Sequence, residues 1–162
     1  VAGAVGGWYL HGAQSPGAFE PRFADRAIGA HRIFVAEVRH PVEVQADQEA
    51  HLVAWLSKRL GTTLKAPSFA AAGFHLVGGR LLADGADPAA QLMYENGGGE
   101  RVTLYVRPAG GDGETSFRFV EHDGVSAFYW VERNFAYALV APISRDALMP
   151  LANTAYATFD TD

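Results

Sequence analysis

From Gly73 to Ala141 the chain is a succession of short extended stretches, each closed by a tight-turn signal. Gly73–Val77 runs into Gly78-Gly79, read as a turn, and then into Arg80–Ala83. Ala89–Glu95 ends at Asn96-Gly97-Gly98-Gly99. Arg101–Arg107 alternates strictly, with Val102, Leu104 and Val106 on one face and Arg101, Thr103 and Tyr105 on the other. Gly110-Gly111-Asp112-Gly113 is the next turn. Ser116–His122 is set to pair with Val125–Glu132 across Asp123-Gly124, a favoured type I′ hairpin dipeptide because both central residues need positive φ. A last strand runs from about Phe135 to Ala141, where Pro142 ends it. Connections this short force antiparallel neighbours, since a parallel pair needs a crossover of roughly a dozen residues or more.

Helical periodicity lies outside this block. Between Pro21 and Val38, the residues Phe23, Ala27, His31 (or Ala30), Phe34 and Val38 recur at spacings of three and four, which places them on one face. His40-Pro41 stops the pattern, because proline disfavours helix in the residue before it, and Val42–Val44 is short and extended. A second helix opens at Asp47, read as its N-cap, with Gln48 and Glu49 suited to the positive end of the helix dipole. Leu52, Trp55, Leu56 and Leu60 form its buried stripe and Gly61 its stop. Ser144 caps a third helix, in which Leu148, Leu151, Ala152, Ala155 and Phe159 share a face.

Helices segregated at the ends of an antiparallel run define an α+β domain. The expected architecture is an antiparallel meander sheet of about six strands, with two N-terminal helices and one C-terminal helix packed largely on one face. A chain of 162 residues suits one domain with a sizeable core. The net charge of −5 and the absence of any Lys/Arg run argue against phosphate-backbone binding, hence against nucleic acid as partner. Without cysteine there are no disulfides, thiol nucleophiles or thiolate metal sites.

No motif points to catalysis. His11, His31, His40, His51, His75 and His122 show neither the i, i+4 spacing of a helical zinc site nor His-Glu-x-x-His, so no metal and no cofactor are expected. The glycine pairs and triplet lack the phosphate-loop pattern and read as hairpin turns. No serine sits in a nucleophile elbow. The densest polar cluster, Glu37-Val38-Arg39-His40-Pro41-Val42-Glu43, reads either as a recognition loop or as a helix end whose carbonyls are neutralised by Arg39 and His40. The aromatics Phe117, Phe119, Phe128, Tyr129, Trp130, Phe135 and Tyr137 alternate across adjacent strands, so some lie on each face. One set packs under helices; the other is a candidate partner or ligand surface. The candidate surface residues are Glu37, Arg39, His40, Tyr129 and Trp130.

Val1–Leu10 is an uncharged run of small apolar residues ending in Trp8-Tyr9. It resembles the end of a membrane helix meeting the water interface, although ten residues fall short of the roughly 20 needed to span a bilayer. The division expected is 1–10 as the end of a transmembrane helix, 11–20 as a linker, and 21–160 as a single α+β domain.

An ordered series of segments resembles a family. His31–Val44, Glu49–Gly61, Ala72–Leu82, Gln91–Glu95 and Arg101–Val106 together look like bacterial single-pass transmembrane anti-sigma factors, which regulate extracytoplasmic-function sigma factors. The resemblance covers roughly residues 1 to 158; the series carries it rather than any single motif. It implies a non-catalytic periplasmic sensory domain, with the inner membrane on its N-terminal side. The partners expected are a regulatory protein or protease in the periplasm and, besides these, a second copy of the chain in a homodimer. The family's sigma-binding cytoplasmic segment is not among these residues, so sigma factor is expected as a partner only through that segment, and no zinc site carries over. The alternative reading is a periplasmic module binding a small ligand or peptide on the aromatic sheet face.

Overall fold

The structure, a computed structural model, describes residues 19–110 and 116–160. The expected membrane-helix end at 1–10 and most of the expected linker at 11–20 lie outside the described residues. In chain order the elements are α1 (Phe19–Val35), β1 (Val44–Gln45), α2 (Glu49–Leu60), β2 (Phe74–Asp84), β3 (Asp87–Asn96), β4 (Arg101–Pro108), β5 (Arg118–His122), β6 (Val125–Glu132), β7 (Phe135–Ala141) and α3 (Arg145–Asp160). The fold is α+β, built on one antiparallel sheet of seven strands in the order β1-β2-β3-β4-β7-β6-β5. The seventh strand is β1, a two-residue edge strand on Gly78 and Gly79.

The sheet is two meanders placed side by side. β1 to β4 advance across it; β5 to β7 then return from the far edge, so that β7 rather than β5 lies against β4. Neither hairpin turn of the second meander needs a loop longer than two residues. Asp123-Gly124 adopts φ of 50° and 75°, as a type I′ turn requires, and Arg133-Asn134 does the same at 47° and 65° without glycine.

Alternation along the strands sorts side chains to two faces. One face carries Leu92, Tyr94, Val102, Leu104, Val106, Phe128, Trp130, Tyr137 and Leu139 against Leu52, Leu56 and Leu60 of α2 and Leu148, Leu151, Ala152, Ala155 and Phe159 of α3. Burying each such leucine contributes roughly 2 kcal/mol of transfer free energy, so this is the main core. The opposite face carries Ala89, Tyr105, Ala127, Ala136, Ala138 and Val140, and against these lie Phe23, Ala24, Ala27 and Ile28 of α1. Two helices therefore share one face, and α1 covers the other. The small side chains Ala127, Ala136 and Ala138 of β6 and β7 leave room for the bulk of Phe23 and Ile28.

Local signals have mixed outcomes. Gly61 ends α2 in the left-handed region at φ 72°, its N–H reaching the Ser57 carbonyl at 2.9 Å. Ser144 caps α3, its Oγ accepting from Ala147 N–H at 3.3 Å. Asp47 is not the N-cap of α2: it sits inside a 3-10 turn, Ala46–Gln48, that leads into the helix at Glu49. Gly78-Gly79 is not a turn. It lies within the eleven-residue β2, beside a register shift between Leu76 and Gly78, and the actual turn before β3 is at Gly85. Gly78 holds φ 150°, and a Cβ there would run into the Val44 carbonyl oxygen. The glycines admit β1 to the sheet edge rather than reversing the chain.

Candidate functional site

The seat of α1 on the sheet is the most polar buried surface among the described residues. Strand pairing explains why. Arg80, Gln91, Tyr105 and Ala138 face each other in one row across β2, β3, β4 and β7, and Met93, Thr103 and Val140 form the next row. The α1 side of β2 to β4 is therefore polar where the α1 side of β6 and β7 is apolar.

At the N-terminal half of α1, the Asp84 carboxylate is fully enclosed and pairs with Arg26 of α1 and with Arg107 of β4. The Arg107 distance is 3.2 Å, and Tyr105 donates its hydroxyl to the same carboxylate at 3.1 Å. Asp87 receives Arg107 at 3.4 Å from the partly exposed side. Burial first, then the neighbouring Asp84 charge, pushes the Tyr105 hydroxyl well above its usual range, so it stays a donor.

Midway, His31 is buried at 2% exposure, and its Nδ1 shares a hydrogen bond of 2.8 Å with Thr103 Oγ1. Burial, with help from Arg32, lowers its pKa to about 4, so the imidazole is neutral at pH 7. Gln91, 1% exposed, makes no hydrogen bond with either side-chain amide atom. A buried polar group left unpaired costs about 1–3 kcal/mol, so this part of the seat is not optimised for stability.

At the C-terminal end, Arg101 donates to the carbonyls of Val35 and Glu37, both at 2.9 Å, and holds Glu95 at 2.6 Å. Arg80 donates to the His40 carbonyl at 2.7 Å with its guanidinium 3.6 Å from the centre of the Phe34 ring. Arg101 thus satisfies the last carbonyl of α1, at Val35, and Arg80 holds the backbone of the following segment at His40. The outer edge of α1 is tied as well: Arg32 reaches the His122 carbonyl at 2.6 Å, and His122 lies 3.4 Å from Asp25.

The chain matches no protein-family model and no curated protein to a significant degree.

The five candidate surface residues separate into two groups. Glu37, Arg39 and His40 are all exposed, on a segment whose backbone Arg80 and Arg101 hold from below. Val38 at 88% is its most exposed apolar residue. Tyr129 and Trp130 form no exposed surface. Trp130 is fully buried, stacked on Tyr137 at 5.3 Å under α3, and Tyr129, 9% exposed, faces the α1 side. Sequence reasoning missed Arg80, Asp84, Arg101 and Arg107, whose partners are 20 or more residues away or on another element. Only the charges at the two ends of the β4 alternation hinted at them. No group of three or more His, Asp or Glu is placed to hold a metal ion among the described residues, nor is any described helix long and apolar enough to cross a membrane.

Proposed function

We propose that this chain is a non-catalytic periplasmic sensory domain of a membrane-anchored anti-sigma factor, and that α1 is the lever through which it controls release of an extracytoplasmic-function sigma factor. The series of resembling segments supports the family. One structural observation carries the lever: α1 sits alone on its face among the described helices, on a seat that is half ionic.

A relay must have two states of similar free energy. Driving such an equilibrium from about 1:99 to 99:1 takes roughly 5.5 kcal/mol of differential binding. Displacing α1 takes the half-exposed Arg26 from Asp84 while Arg107 stays on that carboxylate, and it opens the His31–Thr103 hydrogen bond; contacts of this kind contribute about 1 kcal/mol each, well within that range. Helix α1 can therefore be moved by a partner that competes for a few contacts, whereas the leucine core under α2 and α3 cannot. A periplasmic regulatory protein or protease would act on this equilibrium, and residues N-terminal to α1 would pass the change to the inner membrane. Sigma factor would be engaged only by the family's cytoplasmic segment. With Tyr129 and Trp130 buried, no observation favours the ligand-binding module on the aromatic face.

The test is sigma-dependent reporter transcription in cells carrying the full-length protein with Ala30→Pro, which breaks α1 in its C-terminal half. Altered reporter output is the expected result. Unchanged control, with loss of the helix demonstrated in the purified domain, overturns the proposal.

A further inference from the structure

We infer that the domain is an acid switch, in which protonation of His31 beneath α1 releases that helix from the sheet; as a sensory device this rests on the lever reading above. The geometry is specific. His31 lies on the buried side of α1, within the helix, and its ring is enclosed between α1 and β4. The group it meets there is a neutral hydroxyl, Thr103, itself fully buried. Thr103 is flanked across the sheet by Met93 and Val140, which offer nothing to a cation.

The charged groups around α1 do not rescue an imidazolium. On α1 itself Arg32 repels it. From β3 and β4, Glu95 is already held by Arg101. From β2 and β4, Asp84 is held by Arg26 and Arg107, with Asp87 beyond, and Arg80, against the Phe34 ring of α1, is itself a cation. From the β5–β6 hairpin, Asp123 lies 3.6 Å from Arg32 and is almost fully exposed, and His122 faces Asp25.

The sign follows from linkage. The imidazole titrates at about 4 when buried and near 6.5 when the helix is free. Docking is therefore fully favoured above pH 6.5 and is lost progressively as pH falls towards 4. The limit is about 300-fold in the docking equilibrium, and the steepest slope is about tenfold per pH unit.

The test uses the 162-residue chain in two measurements. First, NMR titration of the His31 ring needs no variant: a midpoint well below 6 supports the switch, and one near 6.5 overturns it. Second, amide hydrogen exchange is followed for Ala27–Phe34 of α1 and for Leu104 and Leu139 of the sheet, as protection factors between pH 7 and 4.5. The expected result is loss of protection in α1 alone, abolished by His31→Gln, which keeps a hydrogen-bonding group opposite Thr103 but does not titrate, and retained in His122→Gln. Equal loss in helix and strands, or the same loss in His31→Gln, overturns it. Both measurements are made on purified protein, so they can fail while the reporter test succeeds, and the reverse.

Discussion

Asp84, the last residue of β2, and Arg107, near the end of β4, form an ion pair of 3.2 Å in which the aspartate side chain is fully enclosed and the arginine nearly so. The pair fastens two sheet strands together directly beneath α1, and Arg26 of α1 shares the same carboxylate. Asp84→Ala should cost about 3–5 kcal/mol, because it leaves buried cationic charge with one carboxylate fewer. Urea denaturation of the two proteins measures this. A loss under about 1 kcal/mol, the scale of a surface pair, would show that the network is not what seats the helix.

Gly78 and Gly97 should respond in opposite ways to alanine. Gly78 has φ 150° and the Val44 carbonyl oxygen in the path of a Cβ, so Gly78→Ala should destabilise by at least about 2 kcal/mol and detach β1. Gly97 lies in the β3–β4 turn, where an added methyl would meet nothing within 4 Å, and Gly97→Ala should fall within about 0.5 kcal/mol of the parent. Thermal unfolding of both variants separates them. Equal effects would place Gly78 in a turn after all.

Trp130 and Arg39 are both sequence candidates for a binding surface, and stability distinguishes their roles. Trp130→Ala should cost about 3–5 kcal/mol, since it empties the space between Tyr137 and Phe117. Arg39→Ala, on the surface, should be within about 0.5 kcal/mol. If Arg39→Ala alters reporter control while chemical denaturation is unchanged, the Glu37–His40 segment acts in recognition; an unaltered reporter removes it from the partner surface.

Alkaline pH should unfold the domain through its buried tyrosines. Burial, assisted by Glu132, pushes the Tyr137 hydroxyl up to about 12, and burial moves Tyr94 and Tyr105 further in the same direction. A raised folded-state pKa stabilises fully below the unfolded value near 10, and that stabilisation is lost as pH rises towards 12. Tyr137 alone accounts for roughly 3 kcal/mol of the loss. Tyr137→Phe should flatten the stability profile between pH 10 and 12, as followed by circular dichroism. A profile identical to the parent would remove Tyr137 as a contributor.

Much of this protein is determined by sequence alone because the relevant physics is local. The α+β class, the antiparallel pairing, the Asp123-Gly124 turn, the Gly61 stop and the Leu148–Phe159 stripe all follow from periodicity and from backbone preferences acting within a few residues. Tertiary structure decided the rest. Periodicity puts Phe23, Ala27 and His31 on a buried face of α1, but it also puts Val38 there, which lies beyond the helix end and is exposed; nor does it tell which face of the sheet α1 meets, because both faces of β6 and β7 are apolar. Alternation sends Tyr129 and Trp130 to opposite faces but does not tell whether each face is covered, and both are. Gly78-Gly79 resembles a turn locally, and only the arrival of β1 makes it a strand interior. The polar seat of Asp84, Arg107, His31 and Thr103 joins residues 23 and 72 positions apart, and no local rule connects them across that separation until strand register and helix packing bring them together.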